Sequence, residues 1–133
     1  MYRATQKVTL HDKIIETVAS ANAERFEVRT NPSSEKNWYI NEGSEKFFPD
    51  LILLPKGSNR GTIIIEVETD DSVSEDHALE QWVPYSKLGR KFYLLVPSGS
   101  LDGAKAICRR QGITVHFGQY WWDGTRWAVS FED

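Results

Sequence analysis

Apolar residues recur at Leu10, Ile14, Val18 and Ala21, the three-to-four spacing of a helix face turned toward a core. Thr9 and Asp12 frame its start in the form of a capping box, so the pattern predicts a helix over residues 9–23. The period then drops to two. Phe26, Val28 and Thr30 alternate with Glu27 and Arg29, which predicts a strand over residues 25–30. Two aliphatic runs follow, FFPDLILL at 47–54 and TIIIEVE at 62–68. The turn-rich segment PKGSNRG joins them and suggests a hairpin. Ser72 and Glu75 form a second capping box, opening a helix that runs to about residue 88 and is kinked by Pro84. The run KFYLLVP at 91–97 reads as a central strand buried on both faces. Residues 101–111 read as a helix stopped by Gly112, and residues 113–117 as a strand. Asp123 and Gly124 then mark a hairpin between residues 120–122 and 125–131. The polar stretch at 31–46 reads as a mobile surface loop.

Strands that alternate with helices in the middle of the chain imply an α/β fold: a mixed sheet flanked by helices, with a C-terminal β-hairpin. The early strands are expected to pair antiparallel and the later ones parallel. With 133 residues, of which 40% are hydrophobic and 26% charged, a single domain over residues 1–133 is expected. There is no apolar run of membrane-spanning length and no signal-peptide core, and the one cysteine, Cys108, has no partner for an internal disulfide. These features predict a cytoplasmic protein with no membrane partner. A net charge of −3 argues against tight non-specific nucleic-acid binding, but it leaves room for an acidic metal site.

Three acids sit in segments that ought otherwise to be buried: Asp50, Glu66 and Glu68. Burying a carboxylate is costly unless it is paired or bound to a metal. Glu66 and Glu68 share one strand face, and Asp50 can approach Glu66 if the two runs pair as a hairpin. A hard divalent cation would relieve the repulsion between converging carboxylates. Two readings stay open: a metal site, or acids on a solvated strand face.

Pro49-Asp50, fifteen residues, then Glu66-Val67-Glu68 resembles the motif of the PD-(D/E)XK nuclease superfamily, and the element order over residues 9–97 resembles its core. The resemblance implies a restriction endonuclease-like fold and a metal-dependent nuclease that hydrolyses DNA phosphodiester bonds with Mg²⁺ or Mn²⁺. Asp50, Glu66 and the backbone carbonyl of Val67 would be the metal ligands. Glu68 stands where the family usually has a lysine, so activating the attacking water would fall to the carboxylate or to a second metal. Gln81 and Tyr85 are similar to the Gln-x-x-x-Tyr motif of RecB-like members, which places both at the catalytic centre. An alternative for them is a core tyrosine with a solvated neighbour. Glu16 matches the acid that the family's first helix supplies, although its position opposite the apolar stripe suits a solvated acid equally.

Other features are weaker. Lys87, Arg90 and Lys91 form a basic cluster suited to nucleic acid, and Arg109 with Arg110 forms another. Asp70 and Asp71 suit a second-metal ligand or, as loop and first-turn acids, a helix start. His77 lies one turn from Gln81, within reach of a phosphate, while His11 and His116 have no partner at zinc-ligand spacing. Trp121, Trp122 and Trp127 crowd the last hairpin and suit base stacking, a dimer interface or a small core. A chain this short would work as a homodimer or beside a partner protein. Besides the nuclease, two readings stand: a catalytically inactive relative that binds nucleic acid or protein, and an interaction module built on the C-terminal tryptophans.

Overall fold

The computed structural model describes residues 5–33, 35–57 and 61–132. Its first element, α1 (Thr5–Asn22), starts before the predicted position, so Thr9 lies exposed one turn inside the helix instead of capping it. The inward face carries His11, Ile14, Ile15 and Val18, spaced three to four apart and all buried.

Strand β1 (Phe26–Thr30) follows as expected. The stretch expected to be a mobile loop instead contains a short hairpin, β2 (Ile40–Glu42) and β3 (Glu45–Phe47), which turns at Gly43 with φ +62°. Asn31 organises the approach to it. Its side chain donates to the carbonyls of Trp38 (2.8 Å) and Pro49 (2.7 Å) and accepts from the backbone of Asn37 and Trp38. Four bonds to one buried amide, together with Ile40 buried in the core, hold this largely polar segment. Strand β4 (Leu51–Pro55) begins after Pro49, so the apolar run at 47–54 is split between β3 and β4.

Strand β5 (Ile63–Val67) pairs antiparallel with β4, Leu51 opposite Ile65, and parallel with β6 (Lys91–Pro97). Strands β6 and β7 (His116–Trp122) are also parallel, and β8 (Trp127–Phe131) returns antiparallel. The predicted strand at 113–117 therefore starts three residues later and runs unbroken into the final hairpin. The sheet order is β1-β4-β5-β6-β7-β8.

The β5–β6 crossover holds α2 (Glu75–His77), a π-helical turn (Ala78–Trp82) and α3 (Val83–Ser86), continuous in backbone. The β6–β7 crossover holds α4 (Leu101–Gln111), which ends on left-handed Gly112 (φ +66°). Ile64, Leu94 and Val96 face this pair of crossovers, packed with Trp82, Tyr85 and Ile107. Ile65, Val67 and Leu95 face α1, packed with Ile14, Ile15 and Val18. Alternation sends neighbours to opposite cores, and this two-sided burial is why the central strands read as continuous apolar runs.

Candidate functional site

Asp50 stands one residue before β4, next to the carboxyl end of β5. Its N–H donates to Glu66 Oε1 (2.9 Å), and its own Oδ2 accepts from the N–H of Val67 (2.8 Å). The two acids thus extend the β4–β5 ladder by exchanging backbone and side-chain bonds. They lie at the carboxyl ends of the parallel strands, the end at which open α/β sheets hold ligands. Asp50 borders a cavity of about 500 Å³, shared with His11, Asn31, Ser33, Lys36, Phe48 and Gln81. A second cleft of similar volume lies between α1 and β8, but no acid or histidine lines it, so the chemistry belongs to the first.

His11, which has no partner at zinc-ligand spacing in the sequence, meets Asp50 through the fold. Its Nε2 lies 3.0 Å from Asp50 Oδ2, and its Nδ1 lies 3.0 Å from Asp12 Oδ1 and 2.9 Å from Ser33 Oγ. The ring thus stands between two carboxylates, with Nε2 at ion-pair distance from Asp50 and Nδ1 within hydrogen-bond distance of Asp12 and Ser33. Asp12 in turn accepts from the Ser33 N–H (2.9 Å) and hydroxyl (2.8 Å). Burial pushes the Asp12 carboxyl up. The Ser33 backbone bond, the bonds from His11 and the Ser33 hydroxyl, and the charge of His11 more than offset this, and its pKa falls below 3.8. The signal for His11 was its place on the α1 stripe, at i−3 and i−4 from Ile14 and Ile15.

Glu68 is fully buried, and the expected role of orienting a water in an open site does not fit that position. Its Oε1 accepts from Ser72 Oγ (2.5 Å) and lies 3.0 Å from His77 Nε2. Its Oε2 accepts from Trp82 Nε1 (3.2 Å). His77 reaches ion-pair distance without hydrogen-bond alignment, and among the described residues neither of its ring nitrogens makes a hydrogen bond. The π-turn explains this convergence. A π-turn closes its hydrogen bonds over five residues, which brings His77 and Trp82 onto one face with ring centroids 6.2 Å apart. The Glu68 backbone is fixed as well, by its N–H to the Leu95 carbonyl (2.8 Å) and by the Tyr120 hydroxyl on its carbonyl (2.7 Å).

Gln81 borders the Asp50 cavity. Tyr85 is buried against Phe47 and Phe92. Burial first, then the charges of Glu66 and Asp50, push its phenol well above the usual tyrosine range, so it keeps its proton beside the acids. Glu16 is left out of the cluster: it points to solvent and pairs with Lys13 at 3.8 Å. Lys87, Arg90 and Lys91 precede or open β6, and Lys91 pairs with Ile63, so this cluster lies at the opposite end of the sheet from Glu66. Asp70 pairs with Lys7 (2.9 Å), and Asp71 accepts from the Thr69 hydroxyl. His116 lies tilted against Tyr93, with ring centroids 5.1 Å apart, and Arg110 is bound by Glu75.

Among the described residues no three His, Cys, Asp or Glu side chains are arranged around one point as a metal cage. Mg²⁺ usually takes one or two carboxylates and fills its remaining positions with water and substrate phosphate. Asp50 borders the open cavity and buried Glu66 adjoins it through the exchanged bonds, so these two hard carboxylates are the donors the chain could offer to such an ion, whereas a closed protein-only site is not built among the described residues.

Comparison with protein-family models, with curated proteins and with solved structures finds no match to this chain.

Proposed function

We propose that this chain is a restriction endonuclease-like domain whose site at Asp50 and Glu66 acts on nucleic-acid phosphodiesters with a divalent cation. The observation that carries the reading is the exchange between the acids: Asp50 N–H on Glu66 Oε1 and Val67 N–H on Asp50 Oδ2, at the mouth of a cavity. The element order supports it: a helix, an antiparallel run β1-β4-β5, a helical crossover and a parallel β6. In this reading Asp50 and Glu66, with the Val67 carbonyl, hold Mg²⁺ or Mn²⁺. The ion would supply Lewis acidity toward a phosphate oxygen and an attacking water. His11, locked by Asp12 and Ser33, orients the Asp50 carboxylate. Gln81 faces the cavity with an uncharged donor and acceptor, and Tyr85 keeps a proton beside the acids.

The burial of Glu68 favours a second reading, a domain of the same kind that binds nucleic acid without cutting it. The position that would carry a water-activating lysine is occupied by a carboxylate sealed under Trp82.

Cleavage of single-stranded, duplex and branched DNA and of RNA, in Mg²⁺ and then Mn²⁺, separates the two. The nuclease reading expects metal-dependent product that falls to background in Asp50→Ala and Glu66→Ala. Calorimetry should show Mn²⁺ binding that both variants lose. Mn²⁺ binding without cleavage selects the second reading. Neither cleavage nor Mn²⁺ binding overturns the metal site.

A further inference from the structure

The segment between β1 and β4 gathers aromatic rings and cations at the rim of the Asp50 cavity. Trp38 and Tyr39 are 43% and 47% exposed, unusually high for large rings held on an ordered backbone. The backbone at Trp38 is pinned on both sides by Asn31, which also borders the cavity. Tyr39 continues inward to Phe48, a cavity-lining ring, with centroids 6.0 Å apart. A cation lies over each ring: Arg29 over Trp38 at 4.6 Å, Lys46 over Tyr39 at 4.6 Å and Lys36 over Phe48 at 5.4 Å. Lys36 is itself a cavity-lining residue. Arg29 also pairs with Glu27 at 2.7 Å, so an incoming anion would compete with that carboxylate.

We infer that Trp38 and Tyr39, with Arg29, Lys36 and Lys46, form a platform for an unpaired nucleic-acid strand, with bases stacked on the rings and phosphates on the cations. Single-strand binders combine these two elements: aromatic faces, which accept any base, and positive side chains that follow the backbone. Rings in a duplex are already stacked on their neighbours, so the platform selects for single strands, loops or ends. The pairing of ring and cation argues for this occupant, Arg29, Lys46 and Lys36 each lying over a ring; Glu27, Glu35, Glu42 and Glu45 on the same stretch mean that these cations act singly beside the rings and not as a broad basic field. The inference rests on the proposed phosphodiester site for its direction, since the platform would deliver a strand toward Asp50.

The test measures binding apart from cutting. Fluorescein-labelled 15-mers of dT and of U, and a 15-base-pair duplex, are titrated with the full chain in EDTA at low salt and followed by anisotropy. Single strands should bind more tightly than duplex. Trp38→Ala and Tyr39→Ala should each weaken single-strand binding by about 5- to 100-fold. Trp38→Phe should retain most of it, Lys36→Ala combined with Lys46→Ala should weaken it and flatten its salt dependence, and Trp122→Ala on the far hairpin should leave it unchanged. Circular dichroism confirms that each variant is folded. Equal affinity for duplex, wild-type affinity in both ring variants, or no binding to either strand overturns the platform. Binding that depends on these residues without metal-dependent cleavage upholds the platform and removes the nuclease reading. Cleavage that is indifferent to Trp38 and Tyr39 does the reverse.

Discussion

Glu68 shows how a charged residue survives in a core. Its oxygens receive a serine hydroxyl and an indole N–H and lie within ion-pair distance of His77, and solvent reaches none of this group. Removing one member of such a cluster leaves the others desolvated and unpaired, which typically costs about 3–5 kcal/mol. Glu68→Ala is therefore expected to lower stability by about that amount, measured by urea unfolding, and Glu68→Gln by about 1–3 kcal/mol because an acceptor remains. A loss under about 1 kcal/mol in Glu68→Ala would show that the cluster does not support the fold. Asp12 gives a pH-dependent counterpart. Its folded pKa lies below 3.8, so its contribution is present above that value and is lost as pH falls through the folded one. Asp12→Asn should flatten the drop in stability below about pH 4, seen in acid unfolding followed by circular dichroism. Cys108 offers a third check. Burial pushes its thiol up to about 11, so at pH 8 only about one molecule in a thousand carries the reactive thiolate. Its reaction with a disulfide reagent should be slow in buffer and fast in denaturant, and fast reaction in buffer would contradict its burial. At this scale the acids were legible in the sequence because carboxylates inside aliphatic runs are expensive. Their histidines were not. His11 and His77 meet Asp50 and Glu68 only through the fold, and nothing in local spacing announces a partner on another element.

Elements were legible wherever one period ran undisturbed, and α4 with its terminal Gly112 and the meeting of β4 with β5 followed their patterns closely. They were misread where a side chain suited two jobs. Thr9 has the chemistry of a cap yet lies within a helix that starts earlier, at Thr5. The loop at 31–46 looked mobile because its order comes from Asn31 bonding and from one buried apolar residue, Ile40, which the overall polarity of the stretch does not reveal. The π-turn was not legible either, since Pro84 signalled a break in the helix without indicating that the backbone widens just before it. The pairing of β7 with β8 yields a prediction at this scale. Gly118 lies opposite Phe131, and a methyl group added there would meet the Phe131 ring at 2.7 Å and a Leu95 methyl at 3.0 Å. Gly118→Ala should therefore destabilise by about 1–3 kcal/mol through overpacking. In the double variant with Phe131→Ala part of that cost should disappear, because the obstructing ring is gone. Strict additivity in thermal or urea unfolding would show that the clash is relieved elsewhere.

Among the described residues a six-stranded sheet with a core on each face is joined by the small β2–β3 hairpin, and the Asp50 site lies where α1, β4, β5 and the π-turn come together at one end. The α/β class and the change from antiparallel to parallel pairing were legible from the alternation of periods. The division of the core into two was not, because continuous apolar runs such as III and LLV signal two-sided burial without saying which helix covers which side. The layout has a thermodynamic consequence. Ile14 on α1 belongs to one core and Ile107 on α4 to the other, and the sheet stands between them. Each substitution to valine removes one methylene and should cost about 0.5–1.5 kcal/mol. With no shared neighbour, the two losses should add to within about 0.5 kcal/mol. Both cores also grip the same strands, since alternate residues of β5 and β6 point into each, so neither face can be released without loosening the other. Unfolding should therefore be a single transition. Trp82 sits in the α4-side core and Trp127 packs against the α1-side core, so their fluorescence reports on both faces. Fluorescence and far-ultraviolet circular dichroism should give coincident urea curves for the parent chain and for both single variants. Curves that separate in Ile14→Val but not in Ile107→Val would mean that α1 can detach on its own. Because α1 carries His11, such detachment would also remove the partner that holds Asp50 in place, and the acid site would lose its geometry before the sheet unfolds.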